Sequence, residues 1–389
     1  MLQELRCADV ATSGAKAAAL GTMLRAGLPV PDGFVLTFDA YRLAAAGSFP
    51  RALRHEIQGA YSDRGWPIVA VRSSASGEDT VRASAAGAHE SMLGIDGAEA
   101  LLAAIRRCWN SLRSARAVAY RQVAELGGAS DDSAMAVIVQ EMVDADASGV
   151  MFTSPSPGGA TLIESSWGLG PSVVEGRITP DSFRVTDDGT IDRRLGSKRS
   201  RLDASTGGLT SRVVDEPQRG SPSLDDEQVS TLVRLGSEIG VLLGGAQDIE
   251  WAMAGEKAWI LQARPVTAAV PSPVEHAERT TAALAGAAAS TGTASGVARI
   301  VRGPQDFSRV ARGDILICPS TDPSWTPLLR VAGGVVTERG GPLAHAAIVA
   351  RELGIPAVLG VTNATSRLTD GSLVSIDGDL GTVTERRPT

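Results

Sequence analysis

Short apolar runs, broken by glycine, proline and polar turns, dominate this chain. Only a few segments carry the three-to-four-residue apolar spacing of a helix. GAKAAALGTMLRAG (14–27) is one, and it stops at Gly27. LPVPDGFVLTFDAY (28–41) follows, with two prolines and an Asp-Gly turn leading into a short apolar strand and a helix. PIVAVRSSASGED (67–79) reads as a buried strand entering a Ser/Gly loop, and AEALLAAIRRCWNSLRSARAVAYRQVAE (98–125) as a long amphipathic helix or helix pair. AMAVIVQEMV (134–143) is an apolar strand that turns polar at its end.

GVMFTSPSPGG and ATLIESSWGLG (149–170) predict strand–turn–strand. Residues 186–222 are polar and Gly/Ser-rich, a pattern of exposed loops. SLDDEQVSTLVRLGSEIGVLLG (223–244) predicts a helix opened by a capping box of Ser223 and Asp226. QDIEWAMAGEKAWILQARPV (247–266) alternates as two strands around an Ala-Gly-Glu-Lys turn. After Val266 large apolar residues become scarce, which marks residues 267–284 as a mobile linker. Residues 285–389 alternate short strands with one clear helix, as a compact α+β or swivelling β/α unit does. The expected organisation is therefore α/β and α+β multidomain, with domains at 1–266 and 285–389.

Composition narrows the function classes. A chain of 389 residues has room for two or three domains, and 43% hydrophobic with 21% charged residues is a globular balance. A net charge of −7 argues against a general nucleic-acid binder. The basic cluster RRLGSKRSR (193–201) reads as a solvated loop, with a nucleotide phosphate left open as its partner. Cys7, Cys108 and Cys318 lie far apart without CxxC spacing, which fits reduced thiols in a cytoplasmic protein. The N-terminus lacks the apolar core of a signal peptide, and no run is long and apolar enough to span a membrane.

The chemistry concentrates in TERGGPLAHAAIVARELG (337–354), which holds one of four histidines. Its histidine admits three readings: a structural core residue, a metal ligand, or a phosphate carrier. No second His or Cys stands within ligand spacing. Gly340-Gly341 gives backbone amides close access to an anion, and Pro342 suits the first position of a helix. His345 then falls in the first turn, where the helix dipole and free amides favour negative charge, with Arg339 nearby. Neutral imidazole is a competent nucleophile near neutral pH. These features together favour the carrier.

A phosphate carrier needs a donor. Gln262 and Arg264 share one side of a strand, and hairpin geometry brings Glu250 next to Gln262. A carboxylate and an amide oxygen suit Mg²⁺, with Arg264 neutralising phosphate oxygens; the same residues equally suit a structural ion pair on a sheet face. Lys16, in SGAKAA, and Arg72, at a strand end beside a Ser/Gly loop, read either as further phosphate ligands or as plain surface charges. The end of VIVQEMV offers backbone groups to an adenine edge, with Gln140 or Glu141 reaching the amine or ribose.

Read in order, these segments resemble the phosphoenolpyruvate synthase and pyruvate, phosphate dikinase superfamily. The matching stretches include GAKAAALGTMLRAGLPVPDGFVLT, VAVRSSASGED, VIVQEMV, ASGVMFT, SSWGLG, PDSFRV, LGSK, DIEWA, ILQARPV and GDILICPSTDPSWTPLL, then GGVVTERGGPLAHAAIVARELGIPAVLG. TDPSWTPLL with TERGG looks most like the rifampin phosphotransferase branch.

The resemblance implies an N-terminal ATP-grasp domain of two subdomains and a C-terminal swivelling phosphohistidine domain. It implies that His345 attacks ATP, AMP leaves, and a phosphoryl group passes to an acceptor. It assigns Lys16, Arg72 and Arg264 to ATP phosphates, and Gln140, Glu141, Met142 and Val143 to the adenosine end. Glu250 and Gln262 are assigned to Mg²⁺, and Thr337, Arg339, Gly340 and Gly341 to the phosphohistidine site.

Three departures stand out. The family's GGKG is here SGAKAA, and its FAGQ loop is here AAGAHESML (85–93), with Ala85 where Phe is usual. Only 44 residues follow His345, with no pyruvate barrel among them and no rifampin-binding insertion before it. The expected activity is a minimal dikinase-type transfer to a small hydroxylated metabolite. The alternatives are a phosphocarrier subunit whose acceptor domain is a separate protein, and an ATP-grasp kinase or ligase that does not use the histidine.

Overall fold

The computed structural model describes residues 1–44, 47, 49–76, 91–114, 133–154, 159–205, 207–267 and 284–386. The linker expected at 267–284 falls almost wholly outside the described residues, as do Ala85 and the helical pattern beyond Ser114.

The first sheet is antiparallel, with strands β1 (Leu2–Glu4), β2 (Gly33–Leu36), β3 (Val69–Ala75), β4 (Ser91–Ile95) and β5 (Met135–Glu141) in the order β1-β2-β5-β3-β4. Helices α1 (Val10–Arg25), α2 (Phe38–Ala44), α3 (Arg51–Ser62) and α4 (Ala98–Ser111) accompany it. Asp9 caps α1 by accepting from the Thr12 amide. The helix is kinked at Gly14, whose φ of 78° is left-handed.

The second sheet contains β6 (Ala147–Phe152), β7 (Thr161–Trp167), β8 (Asp181–Val185) and β9 (Ile191–Arg194). A separate hairpin follows, β10 (Ser200–Ser205) and β11 (Gly208–Val213), and then β12 (Gln247–Ala254) and β13 (Lys257–Pro265) rejoin the sheet. Its order is β13-β12-β6-β7-β8-β9. Short helices α5 (Pro171–Val174) and α6 (Glu216–Arg219) and the long α7 (Asp226–Leu243) complete this part. Side-chain alternation gives the sheet two faces. Met151, Ile163, Phe183, Ile249 and Trp251 point back into one core shared with α7 and the first sheet. Val150 and Phe152 point forward and meet Leu343 and Ile348 from the C-terminal part.

That part is a mixed sheet of β14 (Leu284–Ala285), β15 (Ala287–Ser290), β16 (Thr293–Ile300), β17 (Ile315–Cys318), β18 (Gly334–Thr337), β19 (Ala357–Leu359), β20 (Leu373–Asp377) and β21 (Thr382–Arg386). Strands β16 to β19 pair in parallel. Helices α8 (Thr326–Leu329), α9 (His345–Leu353) and α10 (Ala364–Arg367) lie in its connections. Leu316, Val335 and Leu359 pack with Ala346, Ala347 and Ala350 of α9, whereas Ile315, Ile317, Val336 and Val358 face a second cluster. Burial on both faces explains why these strands read as unbroken apolar runs. Among the described residues, no helix is long and apolar enough to cross a membrane.

Two local expectations are corrected. Helix α7 is capped two residues later than the Ser223/Asp226 reading: the box is Asp225 with Gln228. Ser223 is drawn elsewhere, donating through its amide (2.8 Å) and hydroxyl (2.7 Å) to Asp181. The 186–222 stretch is also more ordered than an exposed loop, since it contributes β9, β10, β11 and α6. Within its basic cluster Lys198 is fully buried and ion-paired with Asp181, because the Asp181 carboxylate also draws in the Gly196 amide.

Removing one partner of such a pair leaves a buried charge uncompensated. Lys198→Met is expected to lower the unfolding free energy by about 3–5 kcal/mol in urea denaturation. Adding Asp181→Asn should restore part of that loss.

Candidate active site between the two halves

A cavity of about 330 Å³ opens where the two sheets of the N-terminal part meet the start of α9. Its floor comes from the β12–β13 hairpin. Glu250 stands directly opposite Gln262, and Asp248 opposite Arg264, on the same sheet face. A bulge after Glu250 admits Leu261 as an extra residue. Arg264 donates to Asp248 Oδ2 from two nitrogens, Nε at 2.9 Å and an Nη at 2.8 Å. Asp248 was not singled out from the sequence, although it sits two residues before Glu250 and so shares its face.

Arg72 reaches the cavity from β3 and donates to Glu250 Oε2 at 3.1 Å. Its Nε is buried without a hydrogen-bond acceptor among the described residues. A buried, unpartnered N–H on a side chain that lines the cavity with Lys16 and Arg264 fits an anionic ligand. Lys16 depends on β3 as well. Ser74 Oγ donates to Ser13 O (2.6 Å) and accepts from the Ala17 amide (3.3 Å), so the strand pins the kink that presents the lysine. The Glu250 carboxylate and Gln262 amide oxygen form a hard-donor pair of the kind Mg²⁺ takes.

Gln140, Glu141, Met142 and Val143 line another wall. The Gln140 side chain is buried and donates to Pro31 O at 3.0 Å. The Glu141 and Met142 amides are engaged by Asp32 O and Ile68 O.

His345 closes the cavity from the other half, 4% exposed and the first residue of α9. Pro342 is not the first helical residue as expected. It lies in a turn closed by the Ala344 amide on Gly341 O (3.1 Å), and the cap is Ala344. The Ala347 and Ile348 amides return to Ala344 O. At the far end Gly354 adopts the left-handed φ of 66° that ends the helix. Thr337 Oγ1 donates to Arg339 O at 2.5 Å. Arg339 itself is exposed, donates to Ser320 Oγ at 3.2 Å, and does not line the cavity. Gly340 and Gly341 rest instead on the N-terminal half, where the Gly340 amide donates to Ile178 O at 3.0 Å in the loop before β8.

Sequence reading also missed Glu164. It lies mid-strand in TLIESSW with 2% exposure. Burial pushes its carboxyl up to about 8, against the opposing pull of the nearby Leu343 amide and the Arg351 charge. The available signal was a lone carboxylate inside a strand with two covered faces.

Cations gathered against a carboxylate, at the seam between a cleft and a second domain, are what a nucleotide-binding protein with a separate carrier domain requires. Residues 42–283 match the pyruvate phosphate dikinase AMP/ATP-binding domain, and residues 310–381 match the mobile domain of PEP-utilising enzymes. The chain belongs to the pyruvate phosphate dikinase family. It is 37% identical to a probable phosphoenolpyruvate synthase of Methanothermobacter thermautotrophicus, over 98% of this chain and 63% of that one. Identity is 36% to a probable phosphoenolpyruvate synthase of Archaeoglobus fulgidus (97% and 57%) and 36% to the phosphoenolpyruvate synthase of Deinococcus radiodurans (97% and 56%). The chain thus spans 56–63% of the length of these relatives.

The kink that presents Lys16 is open to test. A Cβ on Gly14 would lie 2.6 Å from Ser74 Oγ in a left-handed backbone. Gly14→Ala is expected to cost about 1–2 kcal/mol for the backbone alone in urea denaturation, and to weaken binding of a non-hydrolysable ATP analogue by calorimetry. Gly27→Ala, with equally positive φ and open space around it, should lose stability but keep the affinity.

Proposed function

We propose that this chain is an ATP-dependent phosphotransferase of the dikinase type, with His345 as the carried nucleophile. The observation that supports it is that His345 lines the same cavity as Lys16, Arg72, Glu250, Gln262 and Arg264. In this reading the neutral imidazole attacks the β-phosphorus of ATP. A nitrogen–phosphorus bond forms, the bond to the α-phosphate oxygen breaks, and AMP leaves. A pyrophosphoryl group remains on His345. One phosphate is then lost to water or to phosphate, and the other passes to an acceptor at a second site.

The residues divide the work. Lys16, Arg72 and Arg264 neutralise phosphate oxygens as charge shifts towards the leaving AMP. Asp248 fixes the Arg264 guanidinium, so its orientation precedes ligand binding. Gln140, Glu141, Met142 and Val143 hold the adenosine end. Glu250 and Gln262 would hold Mg²⁺, which supplies charge neutralisation at the phosphates when bound. The amides at the start of α9 favour the negative group once it is attached to His345. Thr337, Arg339, Gly340 and Gly341 shape the loop that carries it. A small hydroxylated metabolite is the acceptor we favour, and a metabolite screen for loss of the adduct identifies it.

Incubation with Mg·ATP is expected to yield AMP and an acid-labile adduct on His345 by mass spectrometry. His345→Ala should abolish both. ADP formation without any adduct would overturn the reading. Arg72→Ala should slow AMP formation on the order of 100-fold, the scale for losing one preorganised donor to developing charge.

A further inference from the structure

Glu164 is used by none of the chemistry above, yet its position is tied to it. In the strand register Glu164 faces Val150, and Val150 faces Glu250. The three therefore share one sheet face, with Glu164 two strands, roughly 10 Å, from Glu250. The C-terminal half covers that face. A Cβ on Gly341 would lie 2.0 Å from Glu164 Oε1, so the loop before His345 rests directly on the carboxyl group. Among the described residues neither carboxyl oxygen has a well-formed hydrogen bond, the Leu343 amide standing near it without completing one. Arg351 is close enough to act on it but forms no ion pair with it among the described residues. One Nη of Arg351 is committed to Ala289 O (2.8 Å) and Pro342 O (2.7 Å).

The seam buries Glu164. Leu343 and Ile348 pack on Val150, Phe152, Val173 and Ile178 around it, and the Gly340 amide bonds to Ile178 O. A carboxylate without a partner is poorly tolerated in such a place, whereas a neutral acid is acceptable.

We propose that Glu164 is a positioning residue for the carrier loop: as a neutral acid it seats Gly340–Gly341 on the nucleotide-site sheet, taking one proton from solvent as the halves close and returning it as they part. The proposal rests on the reading that His345 visits this cavity and leaves it. The sign follows from a carboxyl raised in the closed state. Closure is at full strength below the ordinary carboxylate range, weakens as pH rises, and loses its proton-linked part once pH passes about 8.

Other charged groups surround the seam. They include His345, Arg351 and Glu352 on α9, Asp248 and Glu250 on β12 with their partners Arg264 on β13 and Arg72 on β3, Arg184 on β8, Glu175 with Arg177 after α5, and Asp322 before α8; β6 contributes none. Asp181 on β8 is committed to Lys198. Glu175 is also raised by burial, with Asp322 across the seam adding to the effect. A variant that removes only the Glu164 proton is therefore the decisive comparison.

Dyes placed by Val241→Cys and Leu373→Cys, both exposed, in a Cys7→Ser background report closure by energy transfer without nucleotide. The closure constant of the parent should fall by up to about tenfold per pH unit between about pH 5 and 8. Glu164→Gln should flatten this dependence and remain closed at the alkaline end. A parent without pH dependence, or a Glu164→Gln variant that titrates like it, overturns the proposal. Should Glu164→Gln fail to fold, Gly341→Ala supplies the second reading. Its methyl displaces the loop from the carboxyl, so closure should be weak and pH-independent, and pH-linked closure surviving there overturns the proposal. The two ideas fail separately: a missing His345 adduct sinks the phosphotransfer reading alone, and pH-flat closure with normal adduct formation sinks this one alone.

Discussion

Gly340 and Gly341 press on the N-terminal half with no side chain of their own between, Gly340 against the loop before β8 and Gly341 against the Glu164 carboxyl, and the cavity in its present form depends on that contact. The Gly340 amide is bonded to Ile178 O, and Gly341 has no room for a methyl group above Glu164. On the facing side the approach is matched by Gly176, in the turn after α5, where a Cβ would lie 3.3 Å from the Ala344 Cβ. With side chains at these points the start of α9 would stand farther off, and His345 would lose the company of Arg72 and Arg264. A close approach of two backbones thus does the positioning that a bulkier contact would prevent.

The buried charges among the described residues include two kinds. Asp181–Lys198, Asp248–Arg264 and Asp314–Arg299 are paired, and each fixes a segment to its neighbour. They lie within one half or the other, where nothing has to separate. Glu164 lies at the seam and lacks such a partner. A tight ion pair across a seam would hold the halves together strongly, and it would leave two exposed charges to resolvate at each separation. A lone acid that changes protonation makes a softer contact.

Much of the architecture was legible because it obeys simple periods. The β12–β13 hairpin and the Glu250–Gln262 juxtaposition both follow from alternation, and the end of α1 near Gly27 from glycine conformation. What was not legible depends on distant partners. Ser223 looked like a cap because sequence shows only its neighbours, whereas Asp181, 42 residues away, holds it. Lys198 looked solvated for the same reason. Arg339 reads as a neighbour of His345 along the chain, but the turn through Gly340 (φ 100°) carries its side chain towards Ser320. Glu164 was invisible because its significance belongs to a surface formed by both halves.

The bond from Arg351 to Pro342 O joins the last turn of α9 to the loop ahead of its first turn, and the bond to Ala289 O joins both to β15. Loop, helix and strand are thereby braced as a single lever with the histidine at its tip. Such a lever does not bend to extend its reach. Any displacement of His345 is a displacement of the whole body behind it, so the resistance to that movement resides in the adhesive patch beneath Leu343 and Ile348 rather than in the stiffness of the loop.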